Sequence, residues 1–164
     1  MELFLWRHAD ALPETLKTSE GRSFKSTPDF DRELSPLGHQ QAGKVAEWFR
    51  EHVRSTTLSN LRILVSPAVR TRQTIAHFCE NESDIQLCLP LYENASPNEI
   101  LDILGWPGIT LPTLIVGHQP QLGIFADYLL ANTPHPEYFH KGALWRLRIE
   151  PGQNKAQLLG VVEP

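Results

Sequence analysis

Short apolar runs alternate with helical stretches along almost the whole of this chain, and that alternation leaves few folds open. Leu3 to Trp6, Leu61 to Val65, Ile85 to Leu89 and Thr113 to Gly117 are brief and rich in aliphatic or β-branched residues. Ala143 to Ile149 alternates apolar with polar positions, and Gln157 to Val162 follows a Pro151-Gly152 turn. Between these runs, Ser35-Pro36, Ser66-Pro67 and Ser96-Pro97 each set a capping hydroxyl before a proline, whose missing N–H costs nothing in a first helical turn. Glu99 adds a capping box with Ser96. Helical spacing then groups Ala42, Val45, Ala46, Phe49 and Val53 on one core face, and Ala68, Ile75, Ala76 and Cys79 on a second. A further face, after Pro120, carries Ile124, Phe125, Tyr128 and Leu129. Strands alternating with helices predict a three-layer α/β/α sandwich with a mostly parallel central sheet.

A length of 164 residues with 41% hydrophobic content suits one compact domain, so residues 1–164 read as a single unit. The stretch from Pro13 to Glu33 follows neither period and is rich in Thr, Ser, Lys, Glu and Asp. It reads as a polar loop insertion near 13–33, either a flap beside a site or a disordered excursion, with Phe24 and Phe30 as candidate pins.

With 15 basic and 19 acidic residues, a net charge of -4 and no dense Lys/Arg run, nothing draws the chain to nucleic acid or to a membrane surface. Arg7 and His8 interrupt the N-terminal apolar run at once, and no stretch is long enough to span a bilayer. A cytoplasmic, monomeric protein is expected. Cys79 and Cys88 form neither a C-x-x-C pair nor a zinc pattern and read as apolar filler. Nucleotide-loop and dinucleotide fingerprints are absent.

The chemistry concentrates where apolar runs end. The first run delivers Arg7-His8, the second leads into Ser66-Pro67-Ala68-Val69-Arg70-Thr71-Arg72-Gln73-Thr74, and the fourth leads into Gly117-His118-Gln119-Pro120. If these strands are parallel neighbours, two histidines and one or more arginines meet at one sheet edge. Imidazole can act as a nucleophile, while guanidinium groups match phosphate oxygens and offset the charge of a moving phosphoryl group. His8 is the better nucleophile candidate because Arg7 accompanies it. His118 would be an oxygen ligand or help hold charge, and Arg70, nearer the helix mouth than Arg72, would bind phosphate. Glu93, in the connection after the third run, is a candidate proton donor, and Asp10 competes with it. His39, His52 and His77 read as surface or structural groups on helices. His135 and His140 lack ligand spacing.

Taken together and in order, these three segments resemble the histidine phosphatase, or phosphoglycerate-mutase-like, superfamily. The short length, the start Arg7-His8-Ala9-Asp10-Ala11 and the segment Leu91 to Pro97 resemble more narrowly its SixA-like phosphohistidine phosphatases. The resemblance implies that His8 accepts the phosphoryl group, that Arg7, Arg70 and His118 bind phosphate, and that water hydrolyses the intermediate with no metal or organic cofactor. Ala9 stands where the wider superfamily commonly has glycine, and Glu93 sits outside the fuller acid motif of the larger members. The leading expectation is a phosphatase acting on a histidine-phosphorylated protein. Hydrolysis of a small phosphomonoester is the alternative enzymatic reading, and a non-catalytic phosphate-recognition module the binding one.

Overall fold

A computed structural model describes residues 1–17, 23–25, 28–92, 95–106, 108, 110–131, 137–150, 153 and 155–164, with residues 15–17 and 23–25 described by their backbone alone. The chain opens with β1 (Glu2–Arg7), followed by an antiparallel pair, β2 (Thr15–Lys17) and β3 (Ser23–Lys25). Then come α1 (Pro36–His52), the short α2 (Ser55–Leu58), β4 (Arg62–Val65), α3 (Val69–Ala76) and β5 (Ile85–Leu87). The second half runs α4 (Pro97–Leu104), β6 (Thr113–Gly117), α5 (Gln121–Leu130), β7 (Leu144–Ile149) and β8 (Ala156–Val162).

Six strands form the main sheet in the order β5-β4-β6-β1-β7-β8. The pairs β5·β4, β4·β6 and β6·β1 are parallel, while β7 runs antiparallel to both its neighbours. The sheet is therefore mostly parallel, as the alternating pattern requires. Period-2 alternation sends the residues of β1 to opposite faces, and both faces are covered. Leu3 and Leu5 pack with α4 and α5 through Ile100, Leu104, Leu122 and Phe125, whereas Phe4 and Trp6 pack with α1 and α3 through Val45, Phe49 and Ile75. Those two cores make three layers.

The layering also locates a crevice. The chain leaves β1 and β4 toward α1 and α3 on one face, but leaves β6, the strand between them, toward α5 on the other. Neighbouring strands whose connections part in this way open a cleft at their carboxyl ends, where ligands of α/β proteins bind.

Two of the three Ser-Pro starts cap as their sequence predicts. The Ser35 hydroxyl oxygen accepts from the Gly38 N–H at 3.0 Å, and Ser96 with Glu99 completes the capping box. The third differs: α3 begins at Val69 with Ala68 as its cap residue, and Ser66 lies outside it with its hydroxyl used elsewhere. Two helix faces also rotate from expectation. Ala76 is exposed, and on α5 it is Leu122, Phe125, Ala126 and Leu129 that are buried while Ile124 faces outward, because the i, i+3, i+4, i+7 set nearest the sheet starts two residues earlier. The third apolar run ends as a strand at Leu87, with Leu89–Leu91 a 3-10 turn. Among the described residues no helix is long and apolar enough to cross a membrane.

Helix α1 approaches the segment after β1 backbone to backbone. A Cβ added at Gly38 would stand 1.9 Å from the Asp10 carbonyl oxygen, and the Ser35 N–H donates to that same oxygen at 3.0 Å. Gly38→Ala forces these backbones apart. The expected loss is about 1–3 kcal/mol, read from the urea midpoint, and an unchanged midpoint would show that the contact is slack.

Candidate active site

The parallel register sets the three predicted junctions level. Arg7 pairs with Gly117 and Val65 with Val116. One residue further on, the His8 N–H donates to the Gly117 carbonyl and the Ser66 N–H to the Val116 carbonyl, both at 3.0 Å. The rings of His8 and His118 consequently stand 5.2 Å apart, and both histidines are buried. Arg70, in the first turn of α3, brings Nη2 to 3.2 Å from His118 Nδ1. Arg7, His8, Arg70 and His118 line one cavity of about 520 Å³ at the carboxyl edge of the sheet, together with Arg32 and Lys141.

Hydrogen bonds define the tautomer of each histidine. His8 Nδ1 lies 2.8 Å from the Ala9 carbonyl, which only accepts, so Nδ1 carries the hydrogen and Nε2 keeps a lone pair. The Ala9 N–H in turn donates to Thr74 Oγ1 on α3, which steadies the backbone that orients the ring. For His118 the logic is reversed: an arginine only donates, so Nδ1 accepts and Nε2–H donates to Ser66 Oγ at 2.7 Å. Burial lowers the pKa of His8 to about 3; the Ala9 hydrogen bond, next in size, opposes it, and the smaller effects of the Arg70 and Arg7 charges add to the lowering. Burial, His8 and Arg70 likewise lower that of His118 to about 3. Both rings are neutral near pH 7.

Arg70 is a buried cation and Arg7 a half-buried one, and both have donors to spare. Arg7 spends Nη1 on the Phe139 carbonyl, with its guanidinium 5.6 Å from the Tyr138 ring centre. The Nε atoms of Arg7 and Arg70 are buried and have no hydrogen-bond partner among the described residues. A buried N–H left without an acceptor is costly.

Asp29 is the residue that sequence reasoning missed. It belongs to the polar insertion, in a short 3-10 turn (Asp29–Asp31) at the cavity wall. Its carboxylate accepts from Arg70 Nη2 and Arg32 Nη1, both at 2.9 Å, and its carbonyl accepts from Arg70 Nη1. Phe30 pins the turn edge-on against Tyr92, 5.1 Å between ring centres, and Tyr92 stands 5.7 Å from His118. The described end of the insertion therefore sits beside the cavity. Phe24 lies outside the side chains described. Burial alone would push the Asp29 carboxyl up, but hydrogen bonds from Arg32 and Arg70 outweigh it and hold it below its usual value. A lone Asp in a polar stretch carries no periodic signal, so only its proximity to Arg70 in space reveals it.

The other candidates divide. Ser66, expected as a helix cap, belongs to the cavity through His118. Asp10 is tied to Lys141 Nζ and Ser35 Oγ, each at 2.6 Å, and faces away from a donor role. Arg72 pairs with Glu82 at the surface. Glu93 and His135 fall outside the described residues, and His140 is an exposed partner of Glu163.

Comparison with known proteins agrees with this geometry. The histidine phosphatase superfamily (branch 1) matches residues 3–95, more than half of the chain, and this chain belongs to that superfamily. Within it the chain is SixA-like. A phosphohistidine phosphatase SixA homolog from Haemophilus influenzae is 29% identical over 97% of this chain and 93% of that protein. The SixA protein from Nakamurella multipartitia superposes with a TM-score of 0.75 at 25% identity, covering 99% and 95% of the two chains. The protein histidine phosphatase SixA complexed with tungstate shares the fold, with a TM-score of 0.72 at 20% identity over 99% and 97%. At the level of the family, membership supports phosphatase activity.

The histidine pKa values carry a testable sign. Between about pH 6.5 and pH 3 the unfolded chain binds protons at these two positions that the folded chain does not, so stability rises with pH there and is lost on acidification. Asp29 and Asp10, also lowered, act in the same direction below the usual carboxylate value. In the ligand-free protein, NMR titration should show the His8 and His118 rings unprotonated from pH 8 down to pH 5. A midpoint near 6.5 for either ring would show that burial and the neighbouring arginines do not hold it neutral.

Proposed function

We propose that this chain is a phosphohistidine phosphatase that takes the phosphoryl group of a histidine-phosphorylated protein onto His8 and releases it to water. The observation that carries this reading is the fixed tautomer of His8, whose Nδ1–H is held by the Ala9 carbonyl so that Nε2 keeps its lone pair in the cavity that Arg7 and the buried Arg70 also line. In the first step Nε2 attacks phosphorus, the bond from phosphorus to the substrate imidazole breaks, and the departing ring takes up a proton from solvent water. Arg7 and Arg70 balance charge on the phosphoryl oxygens through the transfer. In the second step water attacks phosphorus, the Nε2–P bond breaks, and inorganic phosphate leaves.

Electrostatics favours a phosphorus–nitrogen substrate over an alkyl phosphate. An alkoxide needs a strong acid beside it, whereas an imidazole is a better leaving group. Asp29, the carboxyl group in the described cavity wall, is held ionised by Arg32 and Arg70 and suits the role of base better than that of acid. When phosphate oxygens take over Arg70, this carboxylate is released to receive the proton of the attacking water. His118, with both ring nitrogens engaged, positions Arg70. The SixA homolog that aligns along nearly the whole chain supports the same substrate class.

Purified protein assayed in parallel on a phosphohistidine protein and a simple phosphomonoester should release phosphate from the first in preference. His8→Ala should form no phosphoenzyme and release none, with an unchanged urea midpoint; normal turnover by H8A would refute the covalent step. Arg70→Ala should lower kcat/KM by roughly 10²–10³. Asp29→Asn separates binding from turnover: inorganic phosphate binds more tightly once Arg70 has lost its internal carboxylate, while phosphoenzyme hydrolysis slows. Weaker phosphate binding in D29N would show that Asp29 does not compete for Arg70.

A further inference from the structure

Two histidines that the sequence places on separate helices meet on the outer face, away from the cavity. His39 lies in the first turn of α1 and His77 follows the last residue of α3. His39 Nδ1 stands 3.1 Å from His77 Nε2, with the rings tilted by 55°. With Gln73 and Ala76 they line a shallow surface depression of about 220 Å³. A Cβ added at Gly43 would still be 3.6 Å from His77 Nδ1, so the glycine leaves that side of the ring uncrowded. At most one hydrogen fits between two imidazole nitrogens that face each other so closely, and what the pair offers otherwise is two lone pairs.

We propose that His39 and His77 form a bidentate site for a divalent transition metal of the copper, nickel and zinc class, bridging α1 and α3. Two nitrogens 3.1 Å apart, each about 2.0–2.1 Å from a shared ion, subtend roughly 98°, between the square-planar and tetrahedral angles. Both rings must turn off their mutual hydrogen bond to aim their lone pairs at that point, which an exposed His39 and a half-buried His77 on the surface permit. Among the described residues no group of three or more His, Cys, Asp or Glu side chains is placed to hold a metal, so water completes the coordination. Arg50 decides the selectivity. Its Nη2 donates to the His77 carbonyl at 2.6 Å, setting a positive charge beside the pair. That charge opposes cations held by charge alone, such as Mg²⁺ and Ca²⁺, and leaves those whose bond to imidazole is strong, with Cu²⁺ foremost.

The two ligands are 38 positions apart and meet only when α1 and α3 are packed, so the ion binds the folded chain and stabilises it. Titration calorimetry of tag-free wild-type protein at pH 8 should show one Cu²⁺, and more weakly one Zn²⁺, per chain with a raised Tm, and no response to Mg²⁺. His39→Ala and His77→Ala, both surface changes, should each weaken Cu²⁺ binding by roughly tenfold or more and remove the rise in Tm. His8→Ala, which disrupts the other facing histidine pair, should keep both effects. Undiminished Cu²⁺ affinity in H39A or H77A, loss of it in H8A, or no binding by the wild type would overturn the site.

Discussion

The hydrogen bond from the His8 N–H to the Gly117 carbonyl holds together two strand ends that the sequence separates by more than a hundred residues. It extends the β1·β6 ladder one step past the last strand residue, and the matching bond from Ser66 to Val116 does the same on the other side of β6. With those two bonds made, the side chains of three strand ends leave the sheet at one level. Both neighbours of β6 send their chain to one face while β6 sends its own to the other, and the opening between them is where those side chains gather. Much of the fold serves that level: α1 and α3 bury Phe4 and Trp6, α4 and α5 bury Leu3 and Leu5, and β1 is thereby packed on both faces.

Charge in the cavity is deliberately unbalanced. Arg7, Arg32, Arg70 and Lys141 face it with Asp29 as the one carboxylate among the described lining residues. Two buried histidines in such a place are held neutral, which leaves His8 Nε2 with a lone pair and lets His118 Nδ1 accept from Arg70. Asp29 supplies counter-charge to Arg70 and Arg32. Through that carboxylate the polar insertion is tied to the buried Arg70 of the cavity.

The sequence by itself determined the layers and most of the elements. Period-2 and period-3.6 patterning, with Ser-Pro starts at Ser35 and Ser96, locates strands and helices because both signals are local: they depend on which side of an element each side chain leaves. Arg7, His8, Arg70 and His118 were legible for the same reason, since each follows directly from the end of an apolar run. Tertiary structure alone decided the rest. Ser66 carries the same local signal as the two capping serines, yet its hydroxyl receives the Nε2–H of a histidine 52 residues away. Asp29 sits in a stretch with no period, and its place at Arg70 depends on how the insertion folds back through Phe30 and Tyr92. The protonation of His8 and His118 depends on burial and on charges brought together from β1, α3 and the polar insertion. Such properties belong to distances between remote segments, and a pattern along the chain records only what its neighbours are.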